Sequence, residues 1–240
     1  MFNNIKKDGF TLAELLITLA IIGVIAVMTL PTLMNGVQKA IAISQVKRTF
    51  AIISTTTRMA EADYGSASTW KMKDGSSWDS AKYFAETYMV PYLKVVKRCA
   101  SGNNEADCNY NMYGLNGSNF TFEKSKTYRF YLVDGTFMAV YANQNLNSNG
   151  HRKQVTILFD TNGPKGANKL GNDIYKLEYM IESLKKPKQY IGKILPQYVD
   201  YKRTDLLSNK NEMCNKNQNG VACLSLIYND GWVFAKDYPW

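Results

Sequence analysis

Leu15–Met34 reads LLITLAIIGVIAVMTLPTLM, twenty consecutive residues without a charged side chain. At about 1.5 Å per residue, a helix of that length spans roughly 30 Å, the thickness of a bilayer's hydrocarbon core. The stretch is therefore competent to cross a membrane. Ahead of it, Met1–Gly9 forms a short polar leader with Lys6 and Lys7, charges that stay on the cytoplasmic side and send the rest of the chain outward. An ordinary secretory signal ends its apolar run in a small-x-small cleavage site, and none follows here. Instead Ala40, Ile43, Val46, Phe50, Ile53, Thr57 and Ala60 recur at spacings of three and four, one face of an amphipathic helix. Gly65 and a Ser/Thr cluster stop the pattern after Tyr64. The spacing predicts one helix of about fifty residues, its first half in the membrane and its second half packed on a domain.

The whole chain of 240 residues is 45% apolar and 20% charged, too apolar for a disordered protein, and 16 Gly with 6 Pro exclude collagen-like and low-complexity classes. Its 29 Lys+Arg against 20 Asp+Glu give a net charge of +9, which suits anionic surroundings without naming one. A single histidine, His151, stands in the loop-like stretch Ser-Asn-Gly-His-Arg-Lys, and no nucleophile elbow or His-Glu-x-x-His occurs. No enzyme is expected.

Two features conflict with a plain anchor. Glu14 lies four residues into the apolar stretch counted from Phe10, where an ionised group is costly and a partner is expected, although a place near the interface at a helix N-terminus would also ease it. Gly23 loosens a helix and Pro31 removes a backbone donor from its interior.

Lys7-Asp8-Gly9-Phe10-Thr11-Leu12-Ala13-Glu14-Leu15-Leu16, followed by the apolar helix, resembles the class III leader shared by type IV pilins and the pseudopilins of type II secretion. The resemblance implies that prepilin peptidase cuts between Gly9 and Phe10 and methylates the new amine of Phe10. It also implies that Glu14 pairs with the N-terminal amine of a neighbouring subunit during assembly, and that Gly23 and Pro31 mark places where the helix loosens in the filament. A cation and an anion each stranded in lipid are better off together, which agrees with that pairing. The organisation that follows is a cleaved leader (1–9), a long helix (10–64) with a transmembrane and assembly half (10–34), and an extracytoplasmic head (65–240).

In the head, Trp78–Tyr88 reads as a short helix capped by Ser76 or Ser77 and stopped before Pro91. Tyr128–Val133, the Asp134-Gly135 turn and Thr136–Tyr141 read as a hairpin, and Gln154–Phe159 and Ile174–Ile181 as two further strands. A sheet of at least four strands laid over the helix is an α+β plan. It matches the pilin fold, a long N-terminal helix packed on an antiparallel sheet.

Four groups of residues in the head are candidates for binding or covalent chemistry. Asp160-Thr-Asn-Gly-Pro-Lys-Gly-Ala-Asn-Lys-Leu-Gly-Asn-Asp173 clusters oxygen donors among turn formers but lacks the Gly and Glu of an EF-hand loop. A similar stretch recurs in pilin-like proteins, some of which bind calcium there, so Asp160, Asn162 and Asp173 are candidate Ca²⁺ ligands beside the plainer reading as a turn. Cys99 and Cys108, like Cys214 and Cys223, are separated by eight residues, too many for zinc pairs. Of three connectivities the two local ones are expected, each worth roughly 2.5–3 kcal/mol, with four buried thiols as the other reading. Resemblance places the C-terminal pair around the variable, partner-contacting loop of pilins. Finally, removing residues 1–9 leaves a charge of +8, and Lys185, Lys186, Lys188, Lys193, Lys202 and Arg203 interleave with Tyr190, Tyr198 and Tyr201, a composition suited to DNA or another polyanion unless it is only a solvated basic face.

The expected protein is a structural subunit of a type IV pilus or secretion pseudopilus, stored in the inner membrane and assembled with other such subunits. The alternative is a membrane-anchored binding module that uses the leader only for export.

Overall fold

Leu12–Tyr64 is a single helical segment, α1, in the computed structural model, which describes residues 9, 11–73, 75, 77–100, 108–144, 151–183 and 188–240. The chain divides into two units, Met1–Ile41 and Ala42–Trp240, and α1 contributes to both. In the first unit Leu12–Thr29 has a mean hydropathy of 2.4 and none of it is buried. Leu12, Val27 and Met28 are each more than 70% exposed. Such a surface is stable only against lipid or other apolar helices. The helical assignment runs through Gly23 and Pro31 without a break. A Cβ on Gly23 would meet nothing within 4 Å, so no packing among the described residues requires glycine there.

In the second unit the remainder of α1 is amphipathic, as its spacing predicts. Val46, Ile53 and Ala60, seven residues apart, are fully buried in the main core. Around them lie α2 (Trp78–Tyr88) and a six-stranded antiparallel sheet. The sheet is ordered β1 (Val95–Arg98), β4 (Thr127–Leu132), β5 (Phe137–Asn143), β6 (His151–Asp160), β7 (Ile174–Ser183) and β8 (Lys193–Pro196). The short strands β2 (Met112–Tyr113) and β3 (Asn119–Phe120) form a separate ladder. Ser77 caps α2, its hydroxyl accepting from Ser80 N at 3.1 Å. Gly135, at φ +88°, makes the tight β4–β5 turn, and Arg48 of α1 meets Asp134 of that turn at 3.2 Å.

Register sets the two faces of the sheet. Tyr128, Val140, Ile157 and Leu177 are mutual neighbours across four strands, as are Phe130, Met138, Phe159 and Tyr175, and all eight join the core of α1 and α2. The opposite face is not left to solvent. Phe137, Ala139, Leu158 and Ile174 form a second core with Cys99, Cys108, Met112 and Leu170, so that β4 is buried on nearly every residue rather than on alternate ones. Arg129, 1% exposed on that face, donates to the Cys108 carbonyl at 2.7 Å and to Asn109 Oδ1.

The sheet has six main strands where the sequence indicates at least four. His151, read as a loop residue, begins β6 opposite Ser183. Strand pairing starts at Val95, well before Tyr128, where the first strand is read from the sequence.

Candidate functional site

At the membrane end, the side chain that the sequence singles out closes its own helix. Thr11 N and Thr11 Oγ1 both donate to Glu14 Oε2 at 2.9 Å, and Glu14 N donates back to Thr11 Oγ1 at 3.2 Å. This is a capping box: Thr11 is the N-cap, and Glu14, three residues on, satisfies backbone donors that the first turn leaves without partners. Leu15 N then opens the ladder to Thr11 O at 3.2 Å. Among the described residues Glu14 Oε1 receives no bond. Gly9 is exposed, and among the described residues a Cβ there would meet nothing within 4 Å. Phe10 lies outside the described residues.

In the head, loop 160–173 joins β6 to β7 and is drawn inward by its two ends. Asp160 is fully buried, accepting from Tyr110 OH at 2.8 Å and Asn162 N at 3.1 Å. Burial and then the neighbouring Asp173 push its carboxyl up to about 8. Asp173, 6% exposed, takes Lys169 N at 2.6 Å and Asn168 N at 2.9 Å, and burial raises its carboxyl as well. The amide oxygens of Asn162, Asn168 and Asn172 are buried without a hydrogen-bond partner among the described residues. Two desolvated carboxylates and three unpartnered amide oxygens in one loop are the hard-oxygen donor types that calcium takes.

The disulfides close around the same region. Cys99 is joined to Cys108 and Cys214 to Cys223, and the described residues hold no free cysteine. The first bridge seals the outer core. The second ties the start of α4 (Cys223–Asn229) to the segment after α3 (Arg203–Leu206). Cys223 packs against loop 160–173 at Gly171, whose carbonyl also accepts from Tyr238 OH at 2.5 Å and Tyr175 OH at 3.1 Å. The C-terminal loop, the last residues and the β6–β7 loop thus meet at one glycine.

The basic stretch comes out differently from its sequence. Lys185 and Lys186 lie outside the described residues. Lys188, Lys193 and Lys202 are exposed. Arg203 does not belong to a free cationic face: it makes paired bonds of 2.6–3.1 Å to Asp230 and Asp237. Its two partners lie 27 and 34 residues downstream and leave its five donors little to offer a phosphate. Tyr198 is likewise engaged, its hydroxyl on Glu212. The side chain of His151 is outside the described residues.

Sequence reasoning passed over the Thr11–Glu14 box, although Thr-x-x-Glu ahead of an apolar run is its signature. It also passed over Arg129 and the aspartates of Arg203, which no local pattern reveals.

Residues 5–30 match the prokaryotic N-terminal methylation motif. No curated protein and no solved structure matches the chain. The leader motif together with the apolar α1 makes this a pilin-type leader protein, with an α+β pilin fold, anchored in the membrane by its N-terminal helix and processed by prepilin peptidase. Over residues 32–240, which cover the whole head, the chain belongs to a family of unknown function, DUF6613.

Proposed function

We propose that the protein is a structural subunit of a type IV pilus or type II secretion-like pseudopilus. It is non-catalytic and is built into the filament through α1 while the head supplies surface. The observation that carries this is the N-terminal methylation motif over residues 5–30, which contains an 18-residue apolar span, Leu12–Thr29, with none of it buried. A span that only anchored the head would need no carboxylate, whereas Glu14 has one oxygen without a bond among the described residues, near the N-terminus that cleavage would create. In this reading Phe10 is the methylated N-terminus, and its amine pairs with Glu14 of a neighbouring subunit.

The test is a Glu14→Val variant in a strain lacking the native copy. Intact-mass analysis should show loss of Met1–Gly9 with one added methyl group, and the processed chain should reach the membrane. Filaments should be absent. Normal filaments from the variant alone, or a mature chain starting beyond Met34, would falsify the assignment and favour an anchored module that borrows the leader for export.

A second element of the proposal concerns calcium. Asp160 and Asp173, with the amide oxygens of Asn162, Asn168 and Asn172, would hold the ion. It would offset the charge of two buried carboxylates and brace the loop against Cys223.

A further inference from the structure

The outer face of the sheet carries a groove of about 290 Å³ beneath the segment Phe120–Glu123, at the low end of the range for small-molecule sites, roughly 300–1,000 Å³. Its floor is Ala139 of β5 and Leu158 of β6, cross-strand neighbours, and its walls are the rings of Phe120 and Phe122. The short Ala139 side chain leaves the space that its neighbours enclose. At one side three hydrogen-bond donors face the same volume: Lys176, which pairs with Leu158 in register, and Tyr141 and Thr156, which pair with each other. No hydrogen bond or ion pair among the described residues engages Lys176 Nζ, the Tyr141 hydroxyl or the Thr156 hydroxyl. The acid that also lines the groove, Glu123, is held by Lys126 at 2.7 Å, and Glu178, the next outward residue of β7, lines a different cavity. The charge left over is one lysine.

We propose that this groove binds a small aromatic monocarboxylate, the ring lying on Ala139 and Leu158 between Phe120 and Phe122 and the carboxylate on Lys176, Tyr141 and Thr156. The charged group that faces the groove without an ion-pair partner among the described residues is the Lys176 ammonium, so the ligand is an anion. A single ammonium with no arginine fork and no run of backbone N–H groups suits one negative charge rather than a phosphate dianion. Apolar and aromatic walls around few polar groups select a compact body in place of a peptide strand.

The test uses the full-length processed chain in lipid nanodiscs, titrated with 3-phenylpropionate and with its neutral isostere 3-phenylpropanamide, followed by calorimetry and saturation-transfer NMR. The acid should bind about tenfold or more tightly than the amide, and Lys176→Gln should remove that preference. Ala139→Leu, which fills the floor, should abolish binding of both while thermal melting shows a folded head. Lys188→Gln, at an exposed lysine away from the groove, should change nothing. Equal affinity for acid and amide, an unaltered Lys176→Gln variant, or no binding of either probe at about 10 mM would each overturn the proposal. The last result would fit a groove that accepts a side chain of a second copy.

Discussion

Ile53→Ala tests whether the second half of α1 is the spine of the head rather than a helix leaning on it. Ile53 is fully buried between Val46 and Ala60, each seven residues away on the same face, in the core that also takes Phe130, Ile157 and Leu177. The change removes three carbon atoms. At about 0.8 kcal/mol per methylene the transfer cost alone is roughly 2.4 kcal/mol, and the cavity left in a packed core brings the loss to about 3–4 kcal/mol. For a unit of the size of Ala42–Trp240, each kcal/mol moves the melting temperature by roughly 2–4 °C, so a drop of about 6–16 °C is expected. Met59→Ala is the control, because Met59 lies on the same helix with 47% of its surface exposed. Both variants would be melted as full-length protein in detergent, followed by near-UV circular dichroism, which reports the packed aromatic rings. A shift below about 2 °C for Ile53→Ala, or one equal to that of Met59→Ala, would refute the reasoning.

Replacing Cys214 and Cys223 by serine should lower stability by roughly 2.5–3 kcal/mol, read as a lower urea midpoint, and an unchanged midpoint would show that the loop is held without the bridge. Gly171→Ala should lower the melting temperature as well, since Gly171 sits at φ +82° and a Cβ there would stand 2.8 Å from Cys223 Sγ; a neutral result would mean that this junction yields easily. Millimolar calcium should raise the melting temperature of the native chain and chelator should reverse it. Asp160→Asn should remove that response, and a native chain indifferent to calcium would remove the ion from the proposal.

Legibility followed the length and periodicity of each signal. The long helix, with its seven-residue stripe of Val46, Ile53 and Ala60, and the Asp134-Gly135 hairpin are long or chemically explicit, and the structure has them within a residue or two of the expected bounds. The four-residue strands β1 and β8 are too short for alternation to emerge. As edge strands, both carry lysine, which the sequence cannot distinguish from a loop. The cover over the outer face was hidden for another reason. Met112, Phe120 and Phe122 are scattered through an Asn- and Gly-rich stretch, and only the folded sheet gives them a common surface. The same holds for the groove, whose donors Tyr141, Thr156 and Lys176 come from three strands and meet only through register. Arg203 shows the opposite error, where neighbours in sequence suggested a shared basic patch and distant aspartates had already claimed the charge.

In the proposed assembly Glu14 would serve two ends through different atoms, and two variants pull them apart. Oε2 accepts from Thr11 N and Oγ1, a service to the chain's own first turn that needs an acceptor but no charge. Oε1 would take the ammonium of a neighbouring Phe10, and that attraction needs the negative charge, because an uncompensated ammonium in lipid is the costly alternative. Glu14→Gln keeps an amide oxygen for Thr11 and discards the charge. Thr11→Val keeps the carboxylate and the backbone donor and discards the hydroxyl. If pairing between subunits outweighs the cap, Glu14→Gln loses filaments although its helix start is intact, and Thr11→Val still assembles. If the carboxylate matters only as a cap, Glu14→Gln assembles normally and Thr11→Val shows the larger defect. Because both variants keep Gly9, Phe10 and the apolar span, processing and insertion should be equal in the two, and the direction of the difference in assembly tells the charge from the cap.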